Sequence, residues 1–249
     1  MAYSPRVNKD KVVVLVKAGR LQSWDHVTPE KQQDYIRQHV ELILEVGYKY
    51  GIQRLESFRL MGYQQPWHRF WVIEFPTLEG AEQWIEAEMA PPYGSDGYWE
   101  YYLARPWDPD YFSSWVTLER KPMLPLAKEN DHSIPALKVD DESVVVLMFG
   151  RGLPGTDLMS AEDRGDQEHV DLMKNVALKH GLMRLEGFRL IAPQDDWHRA
   201  WVIEFPSMEG AEAWMQAEVQ PVYGTYNTKI YYLAKNYFCA DINRFKPDF

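Results

Sequence analysis

Apolar and polar residues follow two different periods along the first hundred positions. Residues 12–16 (VVVLV) are an unbroken β-branched run, which predicts a buried strand. From Thr28 the spacing becomes helical, with Ile36, Val40, Ile43 and Gly47 forming one stripe. Thr28 suits an N-cap, Pro29 the first helical position and Glu30 the positive end of the helix dipole. Gly51 can take the left-handed conformation that ends a helix, so the helix is predicted to run to about Tyr50. Strand-like stretches follow at 54–61 and 68–75, separated by the turn GYQQPW. Thr77 caps a second helix reaching about Met89, and residues 98–104 form the last strand. The order β-α-β-β-α-β is the ferredoxin-like split βαβ unit.

The whole pattern then returns. RLESFRL (54–60) reappears as RLEGFRL (184–190), WHRFWVIEFPTLEGAEQW (67–84) as WHRAWVIEFPSMEGAEAW (197–214), and YYLA (101–104) as YYLA (231–234). The offset is 130 without a gap from about residue 38 to 107, and about half of the aligned positions are identical. The first strand repeats at offset 132, VVVLV against VVVLM (144–148). The second copy predicts elements at 143–149, 163–180, 184–191, 198–205, 208–219 and 228–235. Three segments follow: a first repeat over 1–107, a Pro- and charge-rich linker over 108–141, and a second repeat with a C-terminal tail over 142–249. Each four-stranded sheet carries helices on one face only. Its other face needs cover, and two sheets in one chain can cover each other. The expected fold class is α+β, two ferredoxin-like repeats forming an intrachain pseudo-dimeric α/β barrel.

Paired copies of this unit resemble the dimeric α/β-barrel superfamily. The segment AEQWIEAEMAPPYG (81–94) is similar to the second helix and following turn of its YCII-like members. The resemblance implies a place among cofactor-free antibiotic-biosynthesis-type monooxygenases, isomerases and cyclases, or among haem proteins such as the chlorite-dismutase group. It also implies a pocket between sheet and helices. Fold alone does not choose among these.

Composition narrows the partners. The chain has 249 residues, 45% of them hydrophobic, enough for two cores. A net charge of −10 argues against nucleic acid and against an anionic membrane surface. No apolar stretch approaches membrane-spanning length, and the start MAYSPRVNKDK lacks a signal-peptide core. Cys239 is the single cysteine, which suits a reducing compartment, and the expected location is cytoplasmic. Ten Trp are enough to line a pocket for a flat ligand as well as to build core.

Strand alternation sorts the polar residues that both copies keep. Leu55, Ser57 and Arg59 should face the helices, as should Trp71, Ile73 and Phe75. The opposite face then holds Arg54, Glu56, His68 and Glu74, with copies Arg184, Glu186, His198 and Glu204. Two readings stand side by side. In one these charges form a salt-bridge network, with Arg54 on Glu74 across the hairpin. In the other, His68, His198, Glu56, Glu186, Glu74 and Glu204 supply acid–base catalysis. The spacing matches no established metal motif, so no metal is expected. On the helix side, the resemblance raises His39, His169, Arg59 and Arg189 as ligand-binding candidates, beside Trp71 and Trp201. The copies differ at Phe70, which becomes Ala200, at Tyr63, which becomes Pro193, and at Gln65-Pro66, which becomes Asp195-Asp196. A roomier second copy, with Ala200 against the ligand, is the expectation.

The leading functional expectation is an enzyme without an organic cofactor, using a His/Glu pair on a small hydrophobic molecule. Its alternatives are a non-catalytic binding module and a haem protein with His39 or His169 as axial ligand. The chain is expected to be a monomer or a homodimer.

Overall fold

A computed structural model describes residues 6–64, 66–109, 112–118, 139–194 and 196–241. In chain order the elements are β1 (Arg6–Val7), β2 (Val12–Arg20), α1 (Pro29–Lys49), β3 (Arg54–Gln64), β4 (Trp67–Phe75), α2 (Leu78–Met89), β5 (Gly97–Asp108) and α3 (Phe112–Trp115). The second half continues with β6 (Asp140–Gly152), α4 (Asp166–His180), β7 (Arg184–Gln194), β8 (Trp197–Phe205), α5 (Met208–Glu218) and β9 (Asn227–Asp241). Both halves therefore have the β-α-β-β-α-β order that the hydrophobic pattern predicts.

The described residues fall into two compact units, one built on each repeat. The first-repeat unit holds residues 9–104 and the segment from Asn236. The second-repeat unit holds residues 140–235 together with the segment before Lys9 and the segment that begins at Arg105. Each unit thus takes in the end of the other repeat's last strand.

In the first-repeat unit the strand order is β5-β2-β4-β3, with antiparallel neighbours. Val12 pairs with Phe75 and Ala18 with Arg69. Leu55, Ile73 and Phe75 join Val12, Val14, Val16, Ile43, Leu44, Ala81 and Trp84 in the core under the helices, and Trp71 packs against it. Alternation along the strands assigned these faces correctly. Thr77 caps α2 by accepting a hydrogen bond from the Gly80 N–H, as Ser207 does from Gly210 for α5. Thr28 has the extended N-cap backbone but makes no side-chain cap bond.

The second-repeat unit repeats this in the order β9-β6-β8-β7. Val144 pairs with Phe205 and Gly150 with Arg199, so the offsets of 132 and 130 in the sequence are also offsets in space. α4 begins three residues later than expected, at Asp166, because Gly165 sits at φ 67° and breaks the helical path.

The strands outrun the sequence reading at their far ends. β5 continues past Ala104 to Asp108 because β1 pairs with it, Arg6 opposite Asp108 and Val7 opposite Trp107. Tertiary pairing, not local apolarity, sets that boundary. Trp107 then lies against Gly187, where an added Cβ would come within 2.5 Å of the Trp107 carbonyl oxygen. The small residue at this site admits Trp107, not a helix. Part of the expected linker also belongs to a core: Phe112 and Trp115 of α3 are buried in the second-repeat unit. Residues 119–138, Gln65, Asp195 and the side chains of Tyr63, Pro193 and Cys239 lie outside the described residues.

Candidate functional site

The second-repeat unit contains a cavity of about 1010 Å³, at the upper end of the ~300–1,000 Å³ usual for small-molecule pockets. β6 and β8 supply Met148 and Trp201, β7 supplies Leu185, and α4 and α5 supply Val170, Met173 and Trp214. Trp107, Pro109, Phe112 and Trp115 close another wall. Trp107 meets Trp201 edge-on at 6.0 Å between ring centroids. The loop side is lined by Gly150, Gly152 and Gly155 together with Arg151, Leu153, Thr156 and Asp157. Part of the wall is thus aromatic and sulfur-containing, suited to a flat apolar body, and part of it is charged.

One polar cluster stands in this wall. His169 on α4 places Nε2 3.5 Å from Glu218 Oε2 on α5, and Tyr223 stacks on the imidazole at 3.8 Å and 14°. Lys229 on β9 bonds the Glu218 carboxylate and also donates to the Glu218 carbonyl oxygen at 2.9 Å. Burial alone would raise the Glu218 pKa. The hydrogen bond from His169 and the charge of Lys229 outweigh it and hold the carboxyl below its ordinary range. Glu218 is therefore an anion that pairs with His169 through Nε2, and Nδ1 is the ring nitrogen outside that pair. Close by, the buried Tyr231 hydroxyl has no hydrogen-bond partner among the described residues. Burial, with Glu218 and Tyr223 nearby, pushes its pKa up.

Cations stand among the lining residues. Arg164 is committed to the loop: it forms a two-pronged pair with Asp166 at 2.6 and 3.1 Å and donates to the Met159 carbonyl at 2.7 Å. Arg151 and Arg199 are less occupied. Arg151 reaches the exposed Asp196 at 3.0 Å, and its Nε is buried with no partner among the described residues. Arg199 lies over the Trp107 ring at 4.8 Å. Both offer donors to an anionic group on a ligand in the cavity.

The first repeat has the same cluster with a different surround. His39 Nε2 lies 3.4 Å from Glu88 Oε2, and Tyr93 stacks on the ring at 4.1 Å. Arg20 lies over Tyr93 at 3.9 Å and over Trp24 at 4.3 Å. Trp99 holds the position that Lys229 has in the second repeat, donating to the Gly94 carbonyl at 3.1 Å.

The other sequence candidates divide into two groups. Glu56 and Glu74 are buried and bound by Arg54, which meets Glu74 at 3.1 Å and also bonds Glu56. Lys11 reaches Glu74 at 3.1 Å as well. In the second repeat Arg184 bonds Glu186, and Ser143 donates to Glu204 at 2.7 Å. The salt-bridge reading describes this face. His68 and His198 are exposed. Val72 is opposite Glu56, so at ~3.3 Å per residue His68 is roughly 13 Å along the strand from that carboxylate. The expected His/Glu proton-transfer pair is therefore not assembled. Arg59 and Arg189 are exposed too, opposite Arg69 and Arg199 in the hairpin ladders. Trp71 packs on the first core. Ala200 is buried but is not part of the cavity lining, whereas His169, Trp201 and the exposed His198 are. Among the described residues no three His, Cys, Asp or Glu groups come together as a metal site. Sequence reasoning missed Glu218, Tyr223 and Lys229. Identity with Glu88 and Tyr93 at offset 130 marks the first two, and the change from Trp99 marks the third.

Solved structures similar to this chain share its fold. A mutant chlorite dismutase of Candidatus Nitrospira defluvii in complex with cyanide matches with a TM-score of 0.66 and 12% identity, over 91% of this chain and 90% of that one. The imidazole complex of the enzyme matches with a TM-score of 0.65 and 11% identity, over 92% and 91%. A haem-binding protein of Thermus thermophilus matches with a TM-score of 0.59 and 11% identity, over 95% and 94%. No family model and no curated protein matches the chain. The chain has a tandem-duplicated ferredoxin-like fold. Among the described residues no helix is long and apolar enough to cross a membrane.

Proposed function

We propose that the second-repeat cavity binds haem or a closely related metalloporphyrin, which His169 would hold through its imidazole. One observation carries this reading: an imidazole in the wall of a large, partly aromatic cavity, paired with a buried carboxylate. A carboxylate that accepts the second imidazole N–H fixes the ring and raises its basicity toward a metal. The donor set fits the group in two further respects. Trp201, Trp214, Met148 and Met173 give an apolar surround, and Arg151 and Arg199 give cations to the acidic side chains of a porphyrin. Solved structures with this fold include a haem-binding protein, which supports the same reading.

When bound, haem supplies a redox-active iron whose behaviour is set by its axial ligand and surroundings. The chain's own contributions are distinct from that chemistry. Glu218 pairs with His169 Nε2 and would orient the ring. Lys229 holds Glu218 ionised. Trp107, Phe112 and Trp115 keep water from one wall. Arg151 and Arg199 orient an anionic ligand.

Titration of the purified chain with hemin tests the reading. One equivalent should bind with a shifted Soret band, and His169→Ala should lose that shift while His68→Ala keeps it. A Soret spectrum unchanged by His169→Ala would overturn the assignment.

A further inference from the structure

The two repeats keep the same His–Glu–Tyr cluster but surround it differently. In the second repeat the cluster faces the large cavity, and in the first it faces the Arg20 guanidinium across Tyr93. The β2–β4 and β6–β8 registers place Ala18 and Gly150 at equivalent positions, so Arg20 and Gly152 are equivalent two residues further on. Both follow the helix-facing parity of Ala18. At this position the first repeat carries a guanidinium and the second carries no side chain.

Arg20 is packed as filler. Its guanidinium lies on Tyr93 and Trp24, and Tyr93 in turn meets Trp24 at 5.6 Å and Trp99 at 6.3 Å. Its NH1 is buried with no partner among the described residues, an unfavourable state for a charged donor. In the second repeat Gly152 lines the cavity, and Lys229 replaces Trp99 and turns to Glu218. A Cβ on Gly152 would come closest to the Thr156 hydroxyl, at 2.9 Å, a group that donates to the Leu153 carbonyl oxygen and would have to shift.

We infer that the Arg20/Gly152 position decides which of the two homologous pockets admits a ligand. Arg20, with Trp99, plugs the pocket over His39 and Glu88. Gly152 and Lys229 leave its counterpart open. The inference rests on the second-repeat cavity being the ligand site, and not on that ligand being haem.

Two probes separate these claims: hemin, and the apolar anionic dye 8-anilinonaphthalene-1-sulfonate. Each is titrated into the full-length chain, its Gly152→Arg variant and its Arg20→Gly/Trp99→Lys variant, with circular dichroism to confirm the fold. The wild type should bind one equivalent of each probe. Gly152→Arg should weaken both by about tenfold or more, some 1.4 kcal/mol. The double variant should gain a second equivalent of the dye. Unchanged affinity and stoichiometry in Gly152→Arg overturn the inference, as does a folded double variant that gains nothing. Dye binding that is lost in Gly152→Arg, with no hemin binding by the wild type, overturns the haem reading and sustains the plug.

Discussion

Phe149 stands directly opposite Ala200 in the β6–β8 ladder, where the first repeat has Lys17 opposite Phe70. The large ring has moved from one strand to its neighbour, and both Phe149 and Ala200 are buried. The substitution of Phe70 by Ala200 therefore does not by itself enlarge anything. Lys17 pairs with Glu100 and lies over Trp67 at 4.7 Å, while Phe149 meets Trp197, the equivalent of Trp67, at 6.3 Å. Ala200→Phe should overpack this site and cost about 1–3 kcal/mol. Adding Phe149→Ala should recover much of that loss. Urea denaturation of the two single variants and the double variant gives the coupling directly. Hemin affinity should change little in Ala200→Phe.

Arg54 holds two buried carboxylates. Arg54→Met would take that cation from Glu56 and would leave Lys11 to hold Glu74. Breaking a buried pair from one side costs about 3–5 kcal/mol. Chemical denaturation of Arg54→Met should show a loss of this size. Glu74→Gln should lose less, because Arg54 keeps Glu56 and Lys11 can turn to solvent. Equal losses in both variants would contradict the assigned hierarchy.

Glu218 links the cavity to pH. Its folded pKa lies below the ordinary carboxylate range, so between the two values the unfolded chain binds the extra proton more readily. The stabilisation is complete above the ordinary carboxylate pKa and is lost as pH falls through the depressed folded value. Glu218→Gln should be less stable than wild type near neutrality, and the gap should narrow on acidification. Thermal melts of the two proteins from pH 7 downward measure it. A gap that widens on acidification would show that His169 and Lys229 do not hold this carboxyl ionised.

Gly51 and Gly181 end α1 and α4 at φ 68° each. An alanine there takes up a left-handed backbone at a cost of about 1–2 kcal/mol. At Gly51 the nearest atom to an added Cβ is on Pro76 at 3.8 Å, whereas at Gly181 Leu118 stands at 3.0 Å. Gly181→Ala should therefore lower the melting temperature more than Gly51→Ala does. Differential scanning calorimetry would compare them.

The fold was legible because its signals are local and doubled. Val12 to Val16, the Thr77 cap and Gly51 each act through their immediate neighbours, and the second copy repeats the message. The Arg54–Glu74 pair was legible for the same reason, since hairpin register follows from strand parity. The site was only half legible. His169 stands out through its repetition and the resemblance, but Glu218 lies 49 positions further on and meets it only when α4 packs on α5. His68 and His198 are exposed, because parity tells which face a residue takes and not how far along the strand cover extends. The decisive contrast, Arg20 against Gly152, lies at offset 132, four residues past the run in which the first strands match, and its bearing on a cavity follows only from how the side chains pack.

Trp107, Pro109, Phe112 and Trp115 form one wall of the second-repeat cavity, although they are encoded directly after the first repeat. A gene fragment that began at residue 142 would make α4, α5 and His169 but leave that wall unbuilt. Fusion of the two copies is thus more than a matter of tethering. Separating the copies at residue 142 would remove Trp107, Pro109, Phe112 and Trp115 from the second copy's cavity and leave it open on that side.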